Sequence, residues 1–225
     1  MNKRILAVLI YSVSLSGVLS AQRKNHDIVR LPEGRQIISH PASKTITPSQ
    51  GTATVGNLQL IAGNLSQYPL GVYFCCYGQT ISGPRSFFGQ FWAAVPFTPA
   101  TNISVYQVQA AVTWDGFNAQ NRVIMSIAQD SGGLPGATIQ ELPISNLPVF
   151  GTCCALAVAT RNVGIPLIAG KQYWLVAGTN LANQMFEGGW DFNSTDMRSL
   201  PWATQSGGNW GTISFIQPGF AVLGK

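Results

Sequence analysis

The chain predicts an all-β fold, an antiparallel two-sheet β-sandwich of jelly-roll-like type with about ten short strands. Three observations carry that expectation. Ile103 to Trp114 alternates, with Tyr106, Val108, Ala110, Val112 and Trp114 on one face and Gln107, Gln109 and Thr113 on the other, as in a half-buried antiparallel strand. Arg122 to Leu142 reads as strand, turn and strand: Val123, Met125 and Ile127 share a face, Ser126 and Ala128 take the other, and Asp130 to Gly136 forms a long Gly/Pro loop. Elsewhere, short extended runs are separated by Gly and Pro, with no amphipathic helix and no internal repeat.

Residues 1–21 have the layout of a cleaved secretory signal: Lys3 and Arg4, an apolar run from Ile5 to Leu19, then Ser20-Ala21. The run is short for a bilayer span of roughly 20 residues, so no stable membrane insertion is expected once it is removed. Residues 22–50 are polar, basic and broken by Pro32, Pro41 and Pro48, a poorly ordered leader or an arm laid along the domain. Residues 51–225 form the sandwich domain, its length suited to one core.

Within that domain, strands are expected at Thr52 to Ala62, Tyr68 to Tyr77 and Phe87 to Phe97, the last covered on both sides because Trp92 and Ala94 alternate with Phe91, Ala93 and Val95. After the hairpin come Cys153 to Thr160, Ile165 to Ile168, Lys171 to Gly178, Gln184 to Phe192, Arg198 to Gln205, Asn209 to Ile216 and Phe220 to Leu223. Gly207-Gly208 marks a turn between two of them.

Charged residues make up 9% of the chain against roughly 25% in ordinary soluble domains. The whole formal net charge of +5 lies before residue 51. Beyond it, six basic and six acidic residues balance, so the folded part lacks the clustered positive charge that nucleic-acid binding requires.

The four cysteines are two adjacent pairs, Cys75-Cys76 and Cys153-Cys154. An even count in an exported chain favours disulfides. Neighbouring strand residues face opposite ways and a vicinal bridge is strained, so cross-pairing of the dipeptides is the leading expectation; vicinal bridges, and free thiols or a metal site, are the alternatives. In the chain-entropy model each cross-bridge would contribute about 4 to 5 kcal/mol before strain.

The order FTP (Phe97 to Pro99), SIAQDSGGLPGA (Ser126 to Ala137), FGTCC (Phe150 to Cys154), AGKQYWLVA (Ala169 to Ala177) and FAVLG (Phe220 to Gly224) resembles the choice-of-anchor R family of bacterial exported domains. The resemblance implies a secreted or surface-displayed β-sandwich and no particular reaction. Family members often end in a sorting signal; the absence of one before Lys225 favours an expectation of release outside the cell.

Nucleophilic triads and His-based metal sites need a histidine, and both histidines, His26 and His40, lie in the leader. No cofactor is expected. Paired carboxylates would serve a glycosidase, but Glu187 and Asp191 on one extended strand would stand about 13 Å apart, too far for either geometry. Only a cross-strand pairing of Glu187 or Asp191 with Asp115 or Asp196 keeps that alternative open. The expected function is a non-enzymatic binding or structural module, with polysaccharide or surface glycan the leading ligand class. Its candidate residues are Trp190, Asp191, Trp202, Asn209 and Trp210, which together supply stacking faces and hydrogen-bonding groups. The rival is that these tryptophans belong to the core. Asp130 to Gly136 offers a single carboxylate, too little for Ca²⁺, and reads as scaffold.

Overall fold

A computed structural model describes residues 57–65, 73–117, 120–152 and 155–225, together with the backbone of two short strands nearer the N-terminus. The signal-like segment 1–21, both histidines and the side chains of the four cysteines lie outside the described residues.

The fold is an antiparallel β-sandwich. In chain order its strands are β1 (Asp27–Arg30), β2 (Gln36–Ser39), β3 (Gln59–Gly63), β4 (Tyr73–Ser82), β5 (Phe91–Phe97), β6 (Ile103–Ala110), β7 (Val112–Trp114) and β8 (Arg122–Asp130). There follow β9 (Pro135–Ser145), β10 (Ala157–Leu167), β11 (Tyr173–Gly178), β12 (Glu187–Asn193), β13 (Ser199–Ser206), β14 (Asn209–Ile216) and β15 (Phe220–Gly224). The small sheet runs β10-β6-β15-β3. The large sheet has two parts, β14-β13-β5-β11-β8-β9 and β1-β2-β4-β12-β7, joined where Ser82 pairs with Phe91. Within the 22–50 segment, β1 and β2 pair with each other, and β2 lies along β4 through Ile37, Ile38 and Ser39.

The hairpin follows its alternation. Val123, Met125 and Ile127 are fully buried, and β8 pairs with β9 from Arg122–Ser145 to Asp130–Pro135. Its loop is shorter than expected, only residues 131–134, because Pro135 and Gly136 belong to β9. An edge strand tolerates proline at its first position, where the missing N–H has no ladder partner to lose. Gly132 (φ 64°) and Gly133 (φ 83°) take left-handed backbone that other residues resist, and the Gly133 amide donates to Asp130 Oδ2 at 3.1 Å.

Ile103 to Trp114 departs from expectation twice. It is two strands, because the chain crosses at Ala111 from the small sheet to the large one. A bulge also places Tyr106 between the pairs Val105–Gly224 and Gln107–Leu223. The extra residue reverses the alternation, so Val105 enters the core while Tyr106 stays half exposed, its ring 4.8 Å from Lys225 Nζ.

Between the sheets, Val95, Leu175, Met125, Ile127, Trp190 and Trp202 of the large sheet meet Val105, Val108, Val222 and Leu167 of the small one. Phe192 anchors an aromatic cluster, edge-on to Tyr77 (5.1 Å), Phe215 (5.3 Å) and Trp202 (6.0 Å). A second, smaller cluster of Ala94, Ala128, Trp174, Val176 and Ala203 covers the opposite face of the large sheet, with Leu134 and Trp210 packed on it. That covering is why Ile124, Ser126 and Ala128, the other face of β8, are buried too.

Three residues tie the sheets. Ala111 N–H donates to the Gly219 carbonyl (2.9 Å), Gly219 N–H to the Asp191 carbonyl (2.8 Å), and Asp191 N–H to the Ala111 carbonyl (2.9 Å). The buried Trp190 indole N–H adds a bond to the same Gly219 carbonyl at 2.9 Å. Nearby, Asn193 Nδ2 donates to the Asn64 carbonyl (2.7 Å) and Asn64 Oδ1 accepts from Phe220 N–H (2.9 Å), which binds β3 and β15 to the end of β12.

β12 leaves no room for extra atoms on this path: a Cβ on Gly188 would run into the Thr113 carbonyl oxygen and the Phe186 ring. Gly188→Ala is therefore expected to destabilise by about 2 kcal/mol or more, while Val163→Ala, at a position 71% exposed, stays within about 0.5 kcal/mol. Urea denaturation of the two variants checks this.

Candidate functional site

Strand parity decides the fate of the five candidate residues. Trp190 and Trp202 occupy inward positions of β12 and β13 and are 0% exposed, so neither offers a stacking face at the surface. They are core residues, held there by the Gly219 carbonyl and by Phe192. Asp191 faces the other way but is also 0% exposed. Only Asn209, exposed, and Trp210, half-buried, stand at the surface. Trp210 lies in β14, as the expected strand Asn209 to Ile216 places it, and the Gly207-Gly208 turn brings it directly opposite Gln205.

That register builds a site the local sequence does not reveal. Gln205 pairs with Trp210 on one side and Trp92 of β5 on the other. Paired residues share a sheet face, so Trp210, Gln205 and Trp92 form one row across β14, β13 and β5 on the face away from the main core. With strands about 4.8 Å apart, the two tryptophans start about 10 Å from each other. Trp92 lies against Gly178, where an added Cβ would meet its ring at 2.7 Å, and its indole N–H donates to Thr179 Oγ1 at 3.2 Å. Gln90 Nε2 donates to Gln205 Oε1 at 2.5 Å, which fixes the carboxamide between the two indoles.

The row continues onto the second apolar cluster. Trp174 is 2% exposed and its indole N–H donates to Asp130 Oδ1 at 2.8 Å, where Gln172 Nε2 also donates at 2.7 Å. The Trp174 bond, with lesser contributions from Gly133 and Gln172, holds the Asp130 carboxyl below its ordinary range against the opposing cost of burial. The outer tryptophans are thus 92, 174 and 210. Trp92 was legible only as part of a doubly covered strand, and nothing near it in sequence indicates that β5 lies between β11 and β13.

The carboxylates resolve into three environments. Asp196 is paired with Arg198 (2.6 Å), a bond that lowers its pKa. Asp191 Oδ2 accepts from Thr113 Oγ1 at 3.4 Å, while Oδ1 and the buried hydroxyl of Thr80 have no partner among the described residues; burial pushes the Asp191 carboxyl well above its usual range. Asp115 and Glu187 are the pair brought together across neighbouring segments, with Asp115 N–H donating to the Glu187 carbonyl at 3.0 Å. Burial first, and then the Asp115 charge, push Glu187 up to about 7, although the Phe87 amide opposes the shift with a hydrogen bond. Phe117 N–H donates to Asp115 Oδ1 at 3.0 Å.

Among the described residues, no group of three or more His, Cys, Asp and Glu is placed to hold a metal, and no helix is long and apolar enough to cross a membrane. Compared with known proteins, the chain matches no family model and no curated sequence.

Glu187 carries a pH signature. Its folded pKa of about 7 lies above the ordinary 4.5, so its contribution to stability is full below 4.5 and is lost as pH rises through about 7. Thermal unfolding measured across that window should show a decline in the wild type that Glu187→Gln flattens. An identical decline in both proteins would assign the pH dependence to another group.

Proposed function

We propose that the chain is an exported, non-enzymatic binding module that takes a polysaccharide or surface glycan on the outer face of its large sheet. The observation that carries this is the Trp92–Gln205–Trp210 row: two half-buried indoles flank a carboxamide fixed by Gln90, while Asn209, the strand neighbour of Trp210, alternates to the other face of β14. A sugar ring presents a C–H face that stacks on an indole and hydroxyls that need amide partners; the two indoles supply the first, and the half-buried Gln90, anchored on the buried Gln205, the second. The signal-like N-terminus and the resemblance to choice-of-anchor R domains support export.

A second reading, a glycosidase, is favoured by one observation, the adjacent Asp115 and Glu187 with Glu187 raised to about 7. It is separable: an enzyme would release reducing sugar and lose that activity in Glu187→Gln, while the module retains glycan and releases nothing.

Retention on insoluble polysaccharides tests the proposal. Trp92→Ala and Trp210→Ala should each weaken binding by about five- to ten-fold, with melting curves recorded alongside to confirm that the variants are folded. Wild-type retention in both variants, or none in any protein, would reject the site.

Cross-pairing of the cysteine dipeptides belongs to the same proposal. Tyr73, two residues before Cys75, donates its O–H to the carbonyl of Ala155, the residue after Cys154, at 2.8 Å, which supports that pairing. Proteolysis without reduction should yield a linked peptide containing both dipeptides; two separate peptides would point to vicinal bridges or free thiols.

A further inference from the structure

Trp92 is held in a pose that its place in the row does not by itself require. One step beyond the Ala177–Ala93 pair of β11 and β5, Gly178 comes beside Trp92. A Cβ built on Gly178 would stand 2.7 Å from Trp92 Cδ2, 2.9 Å from Cγ and 3.0 Å from Cε2. Cδ2 is a ring-fusion carbon bonded to three other ring atoms, so an approach nearest to it comes through the face of the indole and not its edge. The Cβ of a strand residue points out of the sheet, so the indole lies parallel to the sheet, spread over β11 where a glycine leaves it room. The bond from its N–H to Thr179 Oγ1 fixes its rotation in that plane. One face of the indole thus rests on Gly178, and the half-exposed residue turns the other outward.

We propose, resting on the glycan reading above, that the ligand is an extended β-1,4-linked polysaccharide lying across the strands. One sugar stacks flat on Trp92, another on Trp210, and the chain between them passes over Gln205 and Gln90. The linkage class follows from the pose of the indole. A sugar stacked face to face on Trp92 lies parallel to the sheet. Trp210 stands two strands away on the same face, packed on the second apolar cluster, so a chain that reaches it from Trp92 must stay low over the sheet. Equatorial β-1,4 linkages do this: they extend the chain as a ribbon whose rings remain near one plane, so sugars along its length meet both indoles together. The axial bond of an α-1,4-linked chain turns each ring out of that plane and coils the chain, which leaves one indole uncovered. Gln90 donates to the buried Gln205 between the two stacking positions, and its half-buried carboxamide meets the hydroxyls at the ribbon's edge. Because Gly178 and Thr179 set the Trp92 ring in the free protein, stacking on it demands little further ordering.

Isothermal titration with soluble oligosaccharides tests it. The probes are the β-1,4-linked hexasaccharides of glucose, N-acetylglucosamine and mannose, their disaccharides, and the α-1,4- and β-1,3-linked hexasaccharides of glucose. At least one β-1,4-linked hexasaccharide should bind about ten-fold or more tightly than its own disaccharide, because only the longer chain reaches both indoles. It should exceed the α-1,4- and β-1,3-linked chains by a similar factor. Trp92→Ala and Trp210→Ala, shown by melting curves to be folded, should each reduce the hexasaccharide to about the affinity of the disaccharide. Tryptophan-dependent binding that is as tight for an α-1,4- or β-1,3-linked chain, or as tight for disaccharides as for hexasaccharides, overturns this inference and leaves the glycan site standing. Binding of no sugar, or binding that neither tryptophan affects, overturns both.

Discussion

The cycle of backbone hydrogen bonds through Ala111, Gly219 and Asp191 is the constraint on which the rest of the structure depends. It lies where the chain leaves β6 for β7 and passes between sheets, and it brings the start of β15 and the middle of β12 to the same point. Each of its three amides and three carbonyls would otherwise be a buried, unpaired polar group at a sheet crossing, at a cost of about 1 to 3 kcal/mol each. Because the cycle is made of backbone, it depends little on side-chain identity at Ala111 and Asp191. At Gly219 an added Cβ would stand 3.1 Å from both Ala111 Cβ and Leu65 Cδ2, so bulk is resisted there.

Fixing β12 at Asp191 also fixes its parity. Trp190 is turned into the main core, where its N–H completes the crossing, and Asp191 is turned onto a buried polar face beside Thr113 and Thr80. The carboxyl is held there by its backbone, its Oδ1 without a partner among the described residues, and burial pushes its pKa well above the usual carboxylate range. Four residues earlier on the same strand, Glu187 meets Asp115 at the loop end of the sheet. One strand thus carries a core tryptophan, a fully buried acid with a raised pKa and a carboxyl pushed up to about 7.

Much of the fold was legible because alternation is a local signal. β8 and β9, β11 and β15 follow from their own residues, and the two-glycine turn fixes the pairing of β13 with β14. What local pattern cannot reveal is a partner distant in sequence. Ile103 to Trp114 alternates as though continuous, yet one bulge and one sheet crossing divide it, and both are set by β15 and Gly219 more than 100 residues away. The candidate tryptophans show the same limit. Proximity in sequence grouped Trp190, Trp202 and Trp210, whereas register separates them and brings Trp92 to Trp210 across 118 positions. The pairing of Glu187 with Asp115 was one of several combinations the sequence left open, and only the placement of β12 beside β7 selects it.

Native-state hydrogen exchange at the amides of Ala111, Asp191 and Gly219 tests most directly whether this crossing holds the two sheets together. The three are predicted to exchange in the slowest class, only through global unfolding, and to respond to denaturant as the whole molecule does. Exchange of these amides through local opening, at the rates of loop amides such as that of Leu181, would contradict the account.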